Sequence, residues 1–243
     1  MGLESSFRKE LAQRIKDTPK ENRGETLDQS KHSSEYWQER GRHIQEKQNE
    51  EATEDGLGVL LKTKTIYHGS GISGIEKFNL AEEDTVGQGV YFTSESKDAI
   101  GYARRRSRRE EDHKPVVYEV AVENMRLLDL RKEENLKKIL PGFSDALSDV
   151  YEERKKTNSG SVDIFSKVLR RIRNDVDAGK IGLNNLKAAT QQTGRIFSDY
   201  VRSLGYEGLV VLEGGEGEDV GNHDTYLIFD SERLHINSEQ EIV

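Results

Sequence analysis

His68, Tyr91 and Tyr102 are the side chains whose types and spacing point to a shared chemistry. Ile66-Tyr67-His68 runs straight into Gly69-Ser70-Gly71, and Gly89-Val90-Tyr91-Phe92 runs into Thr93-Ser94. Both runs are short and apolar, as strands are, and each ends on polar residues and glycine. Tyr102 follows Tyr91 by eleven residues, in a helix-like segment that Ser94 or Ser96 could cap. This spacing predicts one tyrosine on a strand and one about two turns into the adjoining helix. Together they would make a slot for a flat heteroaromatic ring, worth roughly 1 kcal/mol per stacked face. Singly, a histidine at a strand end or a tyrosine in a strand is an ordinary structural residue. Only the joint arrangement points to a ligand.

Other chemistries fit less well. Gly69-x-Gly71-x-x-Gly74 satisfies the dinucleotide fingerprint in letters. That motif also needs a helix to begin at its third glycine, facing a pyrophosphate. Residues 75–80 are too short for one, and 81–89 are acidic and rich in turn formers. The glycines are better read as backbone that lets a ligand or a turn come close to His68. The six histidines are scattered, with none paired at helical spacing around a glutamate, so no catalytic zinc and no other metal is expected. Neither a G-x-S-x-G elbow nor a phosphate-binding G-x-x-x-x-G-K-[ST] loop occurs.

The rest of the chain must position these residues. Its 243 residues are 33% apolar and 34% charged, too apolar-poor for every segment to join one core. A net charge of −8 argues against the whole chain binding nucleic acid or an anionic membrane. With no cysteine there is no disulfide, thiolate site or cysteine nucleophile, which fits the cytosol best. No apolar run approaches the ~18–20 residues that cross a bilayer, and the first residues do not resemble a signal peptide. Met1-Gly2 with Ser6 matches a myristoylation pattern only formally. The expectation is a cytoplasmic protein, or one delivered into a target cell, with no membrane partner.

Residues 1–62 read as a charged helical or partly disordered extension. Leu3, Phe7, Leu11 and Ile15 make one narrow apolar stripe. A second helix is expected from about 35 to 51, with Trp37 as its packing anchor. Residues 63–243 read as one domain. Strands are expected near 116–122 and 127–130, and helices at 133–140, 144–155, 162–176 and 186–204. Strands at 208–212 and 226–230 flank an acidic, glycine-rich loop. Strands, then helices, then strands make an α+β class rather than alternating β/α units.

Tyr67-His68-Gly69-Ser70, Gly89-Val90-Tyr91-Phe92-Thr93 and Lys97-Asp98-Ala99-Ile100-Gly101-Tyr102 resemble the NAD-binding core of the H-Y-E class of ADP-ribosyltransferases, the diphtheria-toxin-like and poly(ADP-ribose)-polymerase-like group. Gly205-Tyr206-x-Gly208-x-Val210-Val211 and Tyr226-Leu227-Ile228-Phe229-Asp230 are similar to the closing strands of its bacterial and phage members. The resemblance spans roughly residues 65–230. It implies two small sheets around an NAD cleft, with a helical insertion on one side. It also implies that His68 holds the adenine-side ribose and that the Gly69 backbone, beside Ser70, holds the nicotinamide carboxamide. Tyr91 and Tyr102 would pack around the nicotinamide ring. The implied reaction is mono-ADP-ribosyl transfer from NAD, as co-substrate, to a protein or nucleic-acid acceptor. Its setting would be a toxin, an effector or defence, with an antitoxin or other partner bound through residues 1–62. Water as acceptor would make an NAD glycohydrolase instead, and loss of turnover an NAD- or ADP-ribose-binding module.

The third catalytic position departs from that pattern. Thr225 stands where the family carries a glutamate, which would bond the nicotinamide-side ribose and stabilise developing positive charge. Losing such a contact costs roughly 10²–10³ in rate. Either a non-acidic residue serves here, or Asp224, Glu216 or Glu218 replaces the carboxylate, or the site binds without turnover. Elongation to poly(ADP-ribose), which goes with that glutamate in the family, is not expected. Arg104-Arg105-Arg106-Ser107-Arg108-Arg109, and the cluster Lys167, Arg170, Arg171 and Arg173, read as solvated helix faces or as contacts to a pyrophosphate or an anionic target.

Overall fold

Two long strands carry the computed structural model, which describes residues 50–80, 86–108, 112–156, 162–179, 182–213 and 223–242. They are β2 (Gly58–Ser70) and β4 (Val116–Asp129), paired antiparallel along nearly their whole length. β4 is rich in β-branched residues, and Val116, Tyr118, Val120, Val122, Met125 and Leu127 are all buried. The sequence suggests two strands here, but one strand runs through. Asn124 absorbs the irregularity at φ 47°, a left-handed conformation that asparagine tolerates better than most residues.

Short elements complete the sheet: β1 (Glu50–Ala52), β3 (Val90–Thr93), β5 (Gly208–Glu213), β6 (His223–Ile228) and β7 (His235–Glu241). Their order is β1-β2-β3-β6-β5-β4-β7, with β2 also bonded to β4, so β2, β3, β6, β5 and β4 form a closed five-stranded barrel. Among the described strands, only the β4–β5 pair is parallel. The expected pair of separate sheets is therefore replaced by one mixed sheet curled on itself. The reason is length: β2 and β4 span 13 and 14 residues, enough to twist and serve both halves of the ring. Leu61, Ile66, Phe92, Tyr118, Met125 and Tyr226 pack together as the barrel's apolar filling.

The fold class is α+β, as the order of elements suggests. Helix α1 (Ser96–Ser107) lies against β2 and β4. Helices α2 (Glu133–Lys156), α3 (Val162–Asp177), α4 (Leu183–Thr190) and α5 (Gly194–Ser203) cover the other face of β5 and β6. Leu209, Val211 and Leu227 from the strands, with Phe229 just past β6, meet Phe143, Leu147 and Phe197 from these helices. The sequence suggests a break near Pro141, yet α2 continues through it.

The sheet also begins before residue 63. Glu50 and Glu51, expected at the end of a helix, belong to β1, and Val59 and Leu61 are core residues of β2. Charged flanks hide this short apolar run. Lys64 is buried because its ammonium is paired, 2.7 Å from Glu50 Oε1. The rest of the expected N-terminal helices, with Trp37, lies outside the described residues. Among the described residues, no helix is long and apolar enough to cross a membrane.

Candidate active site

The barrel is weakest between β2 and β3, which share the single register pair Tyr67↔Thr93. A cavity of about 430 Å³ opens at this seam. His68, Gly69, Ser70, Tyr91, Tyr102 and Thr225 all line it, so residues spread over 158 positions of sequence converge on one site.

The His68 side chain bridges the seam where the ladder stops. Its Nδ1 lies 2.8 Å from the Tyr91 carbonyl oxygen. A carbonyl only accepts, so Nδ1 carries the proton, and in the neutral ring Nε2 keeps a lone pair for a donor such as a ribose hydroxyl. Phe78 and Phe92 meet the ring edge-on, at 5.0 and 5.6 Å between centroids. Burial pushes the His68 pKa below its ordinary value, and the Arg106 charge pushes the same way, against the bond to Tyr91. The neutral, accepting form is thus the one favoured near neutral pH.

Tyr91 is a fixed wall. Its hydroxyl accepts from the Val86 and Gly87 amides at 3.0 and 3.2 Å and donates to the Gly87 carbonyl at 3.1 Å. Ser198 of α5 holds the same loop by a reciprocal pair of bonds with the Gln88 backbone. Tyr102 projects from α1, with the Arg105 guanidinium 5.0 Å above its ring and His223 edge-on at 6.1 Å. Helix α1 can lie this close only because Gly69 has no side chain. A Cβ there would sit 2.1 Å from the Ala99 carbonyl oxygen. The α1 N-cap is Glu95, without a side-chain bond, so neither Ser94 nor Ser96 caps it. Ser70 shapes the turn that follows, its hydroxyl accepting from the Ile72 amide at 3.0 Å.

The cavity is polarised. Arg106, one turn beyond Tyr102, and His113 line it near Gly71. Glu213 and Thr225 line it elsewhere, where β5 pairs with β6. Thr225 is 3% exposed, and its Oγ1 donates to Glu213 Oε2 at 3.0 Å. The other oxygen of Glu213 is 2.7 Å from Lys187 Nζ on α4. A carboxylate therefore stands beside Thr225, but it arrives from the neighbouring strand. Asp224 is excluded as that carboxylate. It points to the opposite face of β6, 2.7 Å from the Arg131 guanidinium, because adjacent strand residues alternate sides. Glu216 and Glu218 lie outside the described residues.

Sequence reasoning missed Glu213 and Lys187 and treated Arg106 as one of a row. A signal existed for two of them. Arg106 is four residues after Tyr102, on the same helical face, and Glu213 is two residues after the buried Val211, on the same strand face. Among the described residues, no group of three His, Cys, Asp or Glu side chains converges to hold a metal ion.

No family model matches this chain. No curated protein matches it either. Among solved structures, the crystal structure of the M. tuberculosis MbcT–MbcA toxin–antitoxin complex is similar over 78% of this chain and 89% of the matched chain, at 11% identity and a TM-score of 0.42. At that distance the chemistry has to be read from the cavity itself.

Proposed function

We propose that the cavity binds NAD and that the protein cleaves the bond between nicotinamide and ribose. The observation that carries this reading is the set of groups gathered at one seam. There is a neutral histidine with an accepting nitrogen, two tyrosine rings, an arginine beside a second histidine, and a clamped carboxylate. His68 Nε2 would accept a bond from the adenine-side ribose, and Arg106 and His113 would face the pyrophosphate. Tyr91 and Tyr102 would hold the nicotinamide ring, its carboxamide against the Gly69 backbone. Glu213 would take the part the family gives to its third-position glutamate, bonding the other ribose and stabilising the cationic sugar. The C1′–N bond breaks with its electron pair going to nitrogen, so neutral nicotinamide leaves. Water then adds to C1′ and gives up a proton, forming ADP-ribose.

Water is the acceptor that requires no further surface, and hydrolysis is the simpler reading. Transfer to a macromolecule is the second reading. It is favoured by the exposed Arg104, Arg105 and Arg108 beside Tyr102 on α1, which could receive an anionic acceptor. Uncontrolled NAD consumption harms the cell that makes such an enzyme. The proposal therefore extends to a toxin, effector or defence role, with a restraining partner bound through the residues that precede β1.

The test uses the full chain with NAD labelled separately in the nicotinamide and in the phosphate, with and without cell lysate. Nicotinamide release with label only in free ADP-ribose means hydrolysis. Phosphate label in material sensitive to protease or nuclease means transfer and names the acceptor class. Calorimetric binding without release means a binding module, and absence of binding removes the proposal.

A further inference from the structure

We infer that Lys187 is a positioning residue for Glu213, so that the helical layer, through α4, sets the direction of the reacting carboxylate. This rests on reading the cavity as an NAD-cleaving site. Glu213 is the last residue of β5, paired with His223 across the ladder. A glutamate at such a position has three rotatable side-chain bonds and many conformations to lose. Both oxygens are nonetheless held. Lys187 Nζ is 2.7 Å from Oε1, and Thr225 Oγ1 donates to Oε2 at 3.0 Å. The two donors come from different layers, one from a helix and one from a neighbouring strand. Two attachment points fix the plane of the carboxylate as well as its place.

Among the described residues, the clamp also leaves capacity unused. An ionised carboxylate offers about four lone-pair sites, and these two contacts take two. What remains can meet a ribose hydroxyl or the developing cation. The Lys187 and Glu213 side chains are 24% and 13% exposed, so the pair is partly shielded from solvent, and its effect on stability has to be read separately from its effect on rate. Lys187 itself stands on a rigid base, because its neighbours Leu186, Ala189 and Thr190 are buried in the helical core. Precision in a site comes from side chains carried on such packed elements. This gives the helices between β4 and β5 a task beyond covering the sheet.

The experiment compares Lys187→Met, Lys187→Arg and Glu213→Gln in the full chain. It follows kcat and KM for nicotinamide release, NAD affinity and thermal midpoint. Lys187→Met is expected to lower kcat about tenfold or more, as loss of a bond to a charged group does, with KM and the midpoint near wild type. Lys187→Arg is expected to recover most of that rate. If Lys187→Met keeps full kcat while Glu213→Gln loses it, the positioning role is wrong and the NAD-cleaving reading survives. If Lys187→Met lowers the midpoint and Lys187→Arg restores the midpoint but not the rate, the pair is structural and the inference fails. Full activity in Glu213→Gln overturns the choice of Glu213 as the reacting carboxylate, and the inference falls with it.

Discussion

β6 turns Thr225 toward the cavity and Asp224 toward the opposite face, one residue apart and in opposite surroundings. On the Asp224 face, Arg131 bonds Asp224, Asp129 and Glu50 at 2.7–3.1 Å. Glu50 also meets Lys64 at 2.7 Å and the Tyr226 hydroxyl at 3.2 Å. This network joins β1, β2, β4 and β6 around one shared cation, Arg131. On the Thr225 face, one carboxylate is held by one ammonium and one hydroxyl, beside an open cavity. Both clusters contain ionised groups within hydrogen-bond reach. The difference is what each carboxylate faces: Asp224 is turned onto its own cation, Arg131, away from the cavity, whereas Glu213 lines the cavity and can meet a substrate.

The sharpest way to break this contrast is to neutralise one carboxylate on each face. Glu213→Gln is expected to lower nicotinamide release roughly 10²–10³-fold. Asp224→Asn is expected to leave the rate within about twofold and to act instead on stability, since the energy of its contact is structural. Equal losses of rate from the two variants would erase the distinction.

Arg131→Met comes next. It leaves Asp129, Glu50 and Asp224 without their shared cation, and breaking a buried network in this way costs roughly 3–5 kcal/mol, measurable by denaturant unfolding. The same network predicts acid sensitivity. Burial alone would raise the Glu50 pKa, but Lys64 and Arg131 outweigh it and hold the carboxyl below its ordinary 4.5. A carboxylate lowered on folding binds fewer protons than in the unfolded chain, so stability rises with pH. The contribution is complete above pH 4.5 and is lost as pH falls through the lower folded value. A wild-type unfolding curve flat through that range would contradict it.

A smaller effect belongs to His68. Its folded pKa lies below 6.5, so NAD affinity should be constant above that pH and weaken progressively below it. Protonation turns Nε2 from acceptor into donor. Calorimetric titrations across pH 5–8 would test this, and affinity rising toward acid pH would reverse the assigned role. The smallest expected change is Tyr102→Ala. Loss of one stacking face, about 1 kcal/mol, should weaken NAD binding about fivefold with the fold intact. Unchanged affinity would remove Tyr102 from the slot.

Much of the cavity side was legible from local pattern. The short apolar runs around His68 and Tyr91, and the helix carrying Tyr102, have periods that show in a single window of sequence. The helix breaks were less legible, because Pro141 stays inside α2 with support from neighbouring packing. The start of the sheet was hidden by its charge. β1 is Glu-Glu-Ala, which no propensity marks as a strand, and it pairs because Glu50 finds Lys64 and Arg131 across the barrel. The missing acid was sought near Thr225 in sequence. Strand alternation turns Asp224 to Arg131 on the other face, and the carboxylate beside Thr225 is Glu213, its diagonal neighbour on β5.

The sequence by itself determined that strands carry His68 and Tyr91 and a helix carries Tyr102, because helical and strand periods are local properties of the chain. It also determined that Thr225 is not an acid. Only the tertiary structure decided which acid stands beside it. Glu213 and Thr225 are twelve residues apart and meet through the β5–β6 register, while Lys187 reaches them from a helix packed on the outer face. Register and packing are set by the whole closed barrel, so that choice is written in no single stretch of sequence.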